Sequence, residues 1–266
     1  MSATLIPVAD PCDPRLAAYR HVRERDLVGR EGAFVAEGKV VMASLLDASG
    51  FTLDSALILE SRLQGMKPLL EAARPDFPAY VVPRPVFDGV AGFHVHRGIM
   101  AIGRRISDPR PQRILEGLTA PSVVICSIGL TNHDNVGALF RNAAAFGAAA
   151  IMLDGQSCDP LYRKAIRVST GSVFRVPFVR GGTAAEILSL LVGHGFEPLA
   201  LSPRGEEELG PAPAGHRIAL LVGTEGEGLP RDILATVRSA RITLSPGVDS
   251  LNVATAAAVA LDRLRR

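Results

Sequence analysis

From residue 122 onward, short and almost wholly apolar runs alternate with segments of helical spacing. The runs are residues 122–128, 149–153, 198–201, 217–222 and 240–244; the helical segments are 136–146, 183–194 and 251–265. Strands that are apolar on both faces need cover on both sides. Strand–helix alternation supplies that cover through parallel strands and crossover helices. The expected fold is therefore α/β, with a doubly wound and mostly parallel sheet. Its ligand site should lie beyond the carboxyl ends of the strands.

Ahead of this region, residues 107–112 (S-D-P-R-P-Q) hold two prolines and read as a linker. Residues 34–105 read as a small mixed domain, with helical spacing at 38–46 and short strands at 56–59, 80–82 and 98–103. The boundaries that follow are an N-terminal domain at 1–106, a linker at 107–120 and a C-terminal domain at 121–266. A hydrophobic content of 47% over 266 residues is enough to offset chain entropy and excludes whole-chain disorder. No apolar run approaches the roughly 18 residues of a membrane span. The start lacks the charged-then-apolar order of a signal peptide, so a cytoplasmic protein is expected. Cys12, Cys126 and Cys158 form neither a paired zinc motif nor a disulfide framework, and no metal site is expected.

The net charge of +2 says little about partners, but its distribution says more. Residues 160–185 carry Arg163, Lys164, Arg167, Arg175 and Arg180 and no acid. A second run holds Arg97, Arg104, Arg105, Arg110 and Arg113 against Asp108. Such patches are what an anionic polymer would meet, although a solvated face has the same composition. All but Lys39, Lys67 and Lys164 of the 29 basic residues are arginine, which suits phosphate recognition and also follows from GC-rich coding.

The common catalytic fingerprints are missing. No G-x-G-x-x-G follows the first apolar run, and no phosphate-binding G-x-x-x-x-G-K-[ST] occurs. Neither a G-x-S-x-G elbow nor H-E-x-x-H is present, which removes support for hydrolase and zinc-protease readings.

Three other motifs stand where the fold would place a site. The first, T-N-H-D-N-V-G-A-L-F-R-N-A-A-A-F-G at 131–147, puts Asn135 where a helix N-cap would stand, with Arg141 six residues on. The second, L-L-V-G-T-E-G-E-G-L-P at 220–230, runs from a buried strand into a loop with Gly223, Gly226 and Gly228 around Glu225. Closely spaced glycines let backbone groups meet a ligand without side-chain obstruction. The third, S-L-N-V-A-T-A-A-A-V-A-L at 250–261, offers Ser250 as a cap and Asn252 as a polar group in apolar surroundings; if buried, it demands partners. Its alanine run implies close helix packing.

In order and spacing, N-V-G-A-x-x-R-x-A, G-x-E-G-x-G-L and S-L-N-V-A-x-A-A-A resemble the motifs of the SpoU/TrmH family of RNA 2′-O-ribose methyltransferases, of the SPOUT class. The resemblance covers roughly residues 121–264. A looser likeness, at F-V-A-E-G (34–38) and H-R-G-I-M-A-I-G (96–103), extends to the family's N-terminal RNA-binding domain. The resemblance implies a C-terminal trefoil knot, S-adenosylmethionine held in it, a homodimer through the knotted domain, and transfer or ribosomal RNA as substrate. By position it implies catalytic roles for Asn135, Arg141, Glu225, Ser250 and Asn252. It implies cofactor contacts at Leu201, Gly223, Ile242, Leu244 and Leu251.

A ribose hydroxyl is a weak acid, so methyl transfer to it needs proton removal or oxyanion stabilisation. A guanidinium with a pKa above about 12 is a poor base. Arg141 is therefore expected to clamp a phosphate and stabilise developing charge. Two other classes remain open: a non-catalytic RNA-binding protein and a small-molecule methyltransferase. Binding of labelled S-adenosylmethionine separates the first, and RNA-dependent transfer the second.

Overall fold

A computed structural model of the protein describes residues 3–20, 32–91, 97–107 and 109–265; His96 and Asp108 lie outside the described residues. The chain divides into two compact units. One comprises Met1–Ser107 and Leu161–Phe174, the other Asp108–Pro160 and Arg175–Arg266.

The first unit is built on five strands: β1 (Thr4–Pro7), β2 (Ala33–Glu37), β3 (Phe51–Leu59), β4 (Pro78–Val82) and β5 (Ile99–Arg105). Their order is β1-β4-β3-β5-β2. The pairs β1–β4 and β4–β3 are parallel, and β3–β5 and β5–β2 antiparallel. Leu16, Tyr19, Leu57, Phe87 and Met100 form a core on this sheet. The run read at 56–59 is only the buried end of β3, because Thr52, Asp54 and Ser55 interrupt its apolar pattern. Helices Leu63–Ala72 and Arg84–Ala91 were not legible: Pro68 interrupts the pattern of the first, and the second is only eight residues long.

Strand β2 lies at the edge of its sheet, yet all five of its residues are buried. Helix Lys39–Leu46 and the short helix Arg163–Ser169 pack against it. Phe174 stacks on Phe34 with centroids 5.2 Å apart and meets Phe51 edge-on at 5.1 Å. Residues 161–174, read from the sequence as part of the C-terminal domain, thus complete the core of the first unit and cover its open edge.

The second unit holds β6 (Ser122–Ser127), β7 (Ala150–Leu153), β8 (Phe178–Arg180), β9 (Glu197–Leu201), β10 (Glu207–Glu208), β11 (Arg217–Val222) and β12 (Arg238–Arg241). They form one sheet in the order β10-β12-β9-β11-β6-β7-β8, with every pairing parallel. This is the parallel sheet expected from the apolar runs. Val124, Cys126, Ala219 and Leu221 lie in its core. The run read as a strand at 240–244 corresponds to β12, which ends at Arg241. Its outer partner β10 is two residues long, so the ladder has nothing to extend along. Inside the stretch read as a linker, Pro111–Glu116 forms a helix with Leu115 buried. Arg217 fixes this helix: its guanidinium donates to the carbonyls of Leu115 (2.9 Å) and His194 (2.7 Å) and lies over the Phe196 ring.

Among the described residues, no helix is long and apolar enough to cross a membrane. Nor do three or more His, Cys, Asp or Glu side chains gather where they could hold a metal ion.

Candidate active site

Strand order reverses beside β6: the chain runs outward through β7 and β8, then fills the other side with β11 next to β6. The carboxyl ends of β6 and β11 border this switch point, where open α/β sheets take ligands. The Ile128 N–H donates to the Val222 carbonyl at 2.9 Å, so the two loops leave the sheet side by side.

The loop after β6 leads into helix His133–Phe146. Asn132 is its N-cap, accepting on Oδ1 from the N–H groups of Asp134 (2.8 Å) and Asn135 (3.4 Å). Asn135, expected as the cap, lies inside the first turn and is 5% exposed. Its side chain is thereby left for long-range bonds. Asn135 Nδ2 donates to Glu225 Oε1, and Asn135 Oδ1 accepts from Asn252 Nδ2 at 2.8 Å. Asn252 Nδ2 also reaches Glu225 Oε1 at 3.1 Å. One residue from each of the three motifs therefore meets in a single hydrogen-bonded network.

Asn252 has a second task. Its Oδ1 caps helix Val253–Leu264, accepting from Ala254 N (3.0 Å) and Thr255 N (3.3 Å). Two expectations are corrected here. Ser250, proposed as that cap, is exposed two residues ahead and outside the network. Asn252 is itself exposed rather than buried, although its amide is fully engaged. Asn142 adds a tie the sequence reading missed: its Nδ2 donates to the Ala254 carbonyl at 2.7 Å, joining the two helices.

Arg141 is not brought to this network. Six residues after Asn135, it points about 120° away around the helix axis. It is exposed, and among the described residues it makes no hydrogen bond or ion pair.

The loop after β11 is narrow. Thr224 donates through both its N–H (3.1 Å) and its hydroxyl (3.2 Å) to the Gly228 carbonyl. Gly223 is buried against that same backbone; a Cβ there would overlap the Gly228 carbonyl and the Leu229 nitrogen. Gly226 has φ +94°, a conformation that side chains disfavour. This tight turn projects Glu225 toward Asn135. Leu201, at the end of β9, and Ile242, just past β12, are half-buried; β9 pairs with both β11 and β12. Gly223, Leu201 and Ile242 thus follow three adjacent strands at one end of the sheet. Leu244 and Leu251 are also half-buried and bracket the exposed segment 245–250.

A buried carboxylate supports the first loop. Asp154, 4% exposed at the end of β7, accepts from Gly129 N (3.0 Å), Ser157 N (2.8 Å) and the Ser157 hydroxyl (2.7 Å). Ser157 Oγ in turn accepts from Leu130 N at 3.1 Å. Arg180 donates to the carbonyls of Ser157 (2.7 Å) and Gly155 (3.0 Å). Loops from three strands are locked together, and no periodicity in the sequence marks these residues. Burial pushes the Cys126 thiol on β6 up to about 12. It is a packing residue without nucleophilic character.

Residues 122–262 match the SpoU rRNA Methylase family. The chain is similar to an uncharacterized tRNA/rRNA methyltransferase of Mycobacterium tuberculosis, with 38% identity over 263 residues, 95% of this chain and 89% of the relative. Its fold is similar to that of an AdoMet-bound rRNA methyltransferase from Sinorhizobium meliloti (20% identity, TM-score 0.76, 97% of each chain). It is also similar to an RNA 2′-O ribose methyltransferase (25% identity, TM-score 0.76, 96% of each chain).

Proposed function

Because the chain belongs to the SpoU rRNA methylase family, we propose that it transfers a methyl group from S-adenosylmethionine to a ribose 2′-hydroxyl of transfer or ribosomal RNA in the cytoplasm. The observation that carries this reading is the network of Asn135, Glu225 and Asn252 at the switch point of the parallel sheet.

The residues present fit the cofactor. Gly223, where a Cβ would overlap the Gly228 backbone, keeps the loop after β11 narrow and free of a side chain, and Leu201, Ile242, Leu244 and Leu251 are half-buried apolar groups. Backbone groups would orient the polar parts of the cofactor, and the apolar side chains would cover its adenine ring. Bound there, S-adenosylmethionine supplies an electrophilic methyl group for in-line displacement, and S-adenosylhomocysteine departs. Positioning supplies much of the rate of such a step. Asn135, Glu225 and Asn252 hold the loops of the three motifs in one geometry. Arg141, exposed and uncommitted, holds an RNA phosphate and stabilises negative charge on the attacking oxygen. The hydroxyl proton leaves to water.

The C-terminal passage is proposed to thread as a trefoil knot. Strand β12 lies between β9 and β10, and Gly205 crosses so close that a Cβ would overlap the Ala240 backbone. A homodimer is proposed to form through helix Val253–Leu264, whose Ala258 and Val259 line a shallow groove with Phe146. Ser250 would act from the partner-facing loop. The first unit is proposed to select the RNA.

The test is methyl transfer from labelled S-adenosylmethionine to total RNA of a strain lacking the gene, followed by mapping of ribose methylation. One 2′-O-methylated nucleotide, absent from the deletion strain and restored by the protein, is the expected result. Methylation on a base, or none, overturns the reading.

A further inference from the structure

Two glycines in the first unit each lie beneath an arginine stem. Gly38 (φ +95°) follows β2, and a Cβ there would lie 2.7 Å from Arg97 Cδ. Gly98 (φ +64°) precedes β5, and a Cβ there would lie 3.2 Å from Arg62 Cγ. Backbone bonds hold these turns together: Gly38 N donates to Ile99 O (3.0 Å), and Leu59 N donates to Gly98 O (2.9 Å). The strand register puts Glu37 opposite Met100 and Ile58 opposite Ile99, so both arginines belong to one end of the sheet. Lys39, next in the chain, is exposed there.

Helix Arg163–Ser169 reaches the same end. Arg163 Nε lies 3.4 Å from Glu37 Oε2, which neutralises that buried carboxylate. Lys164 and Arg167, three residues apart and so neighbours on the helix surface, are both exposed. Next to Arg62, exposed Glu60 reduces the local charge by one.

Arg104 and Arg105, the other basic pair of this unit, are placed differently. They end β5, opposite Ala33 and Phe51, roughly 20 Å from Arg97 by strand rise. Arg104 is paired with Asp54 at 2.5 Å, and Arg105 lies over the Phe51 ring at 5.6 Å. One unit thus has two basic ends, of which one gathers long side chains from four separate segments.

We infer that the end formed by Lys39, Arg62, Arg97, Lys164 and Arg167 is the surface that engages the RNA phosphate backbone, and that helix Arg163–Ser169 is part of the RNA-selecting unit. This rests on the proposed function. Arginine and lysine heads spread over four segments suit several successive phosphates. The arrangement also splits the basic run 160–185: Arg180 is committed to the carbonyls of Gly155 and Ser157 in the second unit.

The experiment uses the full-length protein and total RNA from the deletion strain, measuring binding across a salt series. Three variants are compared with wild type: Lys164→Glu with Arg167→Glu, Lys39→Glu alone, and Arg104→Glu with Arg105→Glu. Affinity for S-adenosylmethionine and circular dichroism report folding. Lys39→Glu places an acid in the first turn of a helix, where it favours the fold.

The Lys164/Arg167 variant is expected to bind RNA at least tenfold more weakly. Its log–log salt slope should fall by about 1.4, about 0.7 for each lost phosphate contact. Lys39→Glu should weaken binding in the same direction, and the Arg104/Arg105 variant should stay within twofold of wild type. The inference is overturned if the first two variants stay within twofold, or if Arg104/Arg105 costs more. If wild type methylates RNA while these variants bind it normally, this inference alone fails. If wild type neither binds nor methylates RNA at low salt, the proposed function fails with it.

Discussion

The Asn252 side-chain amide donates to Asn135 Oδ1 across 2.8 Å, joining residues 117 positions apart in the chain. The same Asn252 caps its own helix through the other side-chain atom. One asparagine therefore carries a local and a long-range duty, and substitution can separate them. Asn252→Asp keeps the capping oxygen but loses the donor and sets a second carboxylate beside Glu225. Unfolding free energy should stay within about 0.5 kcal/mol of the wild type after allowance for that repulsion, while methyl transfer falls at least a hundredfold. Asn252→Ala should lose both, with about 1 kcal/mol of stability going with the cap. Urea unfolding alongside a transfer assay distinguishes the two.

Arg141 is exposed and unpaired among the described residues, so its removal should cost the fold little, within about 0.5 kcal/mol. Arg141→Ala should bind S-adenosylmethionine as wild type does and lose transfer at least a hundredfold. Turnover within tenfold of wild type would assign the step to another residue.

Gly223 is required by the loop itself. Gly223→Ala drives a Cβ into the Gly228 backbone, an overpacking expected to cost about 1–3 kcal/mol. Cofactor affinity and melting temperature should fall together. Calorimetric titration showing normal affinity in an equally stable variant would remove Gly223 from the site.

Asp154 collects the Gly129 and Ser157 amides away from water. Asp154→Ala leaves those donors without an acceptor and should lower stability by at least about 2 kcal/mol. Hydrogen exchange should show the loss first at residues 128–132.

The thiols should react unequally. Burial raises both Cys126 and Cys158 to about 12, so both stay protonated at pH 8, and a thiolate reagent has nothing to attack. Exposed Cys12 should react quickly, with the other two reacting only after denaturation. Two fast thiols in the native protein would mean that β6 or the loop holding Cys158 opens readily.

The parallel sheet was legible because β6, β7, β9 and β11 are largely apolar and alternate with helical segments, which crossover helices then place on both faces. The glycine loop was legible because three glycines in six residues leave few backbone alternatives. The role of Asn135 was not. An asparagine before a helical pattern reads as a cap, and only the structure shows that Asn132 takes that position and sends Asn135 inward. Whether Arg141 meets Asn135 depends on the cap geometry, which the sequence leaves open, and the helical turn separates them. Asp154 and Ser157 stayed hidden because their partners are backbone amides, which leave no trace in residue identity. Strand β2 and helix Arg163–Ser169 were missed for a related reason. Each is short, and each is buried by the other, across more than a hundred residues of chain.

That last pairing bears on how such proteins can be recombined. Ile166, Val173 and Phe174 are buried within a unit most of whose chain lies before residue 108. A fragment beginning at residue 107 would carry these side chains without Phe34 and Phe51, leaving an adhesive apolar patch. A first unit exchanged between relatives at that junction alone would arrive with its edge strand uncovered. The heritable module is discontinuous: to move the first unit from one relative to another, residues 161–174 must travel with the N-terminal segment.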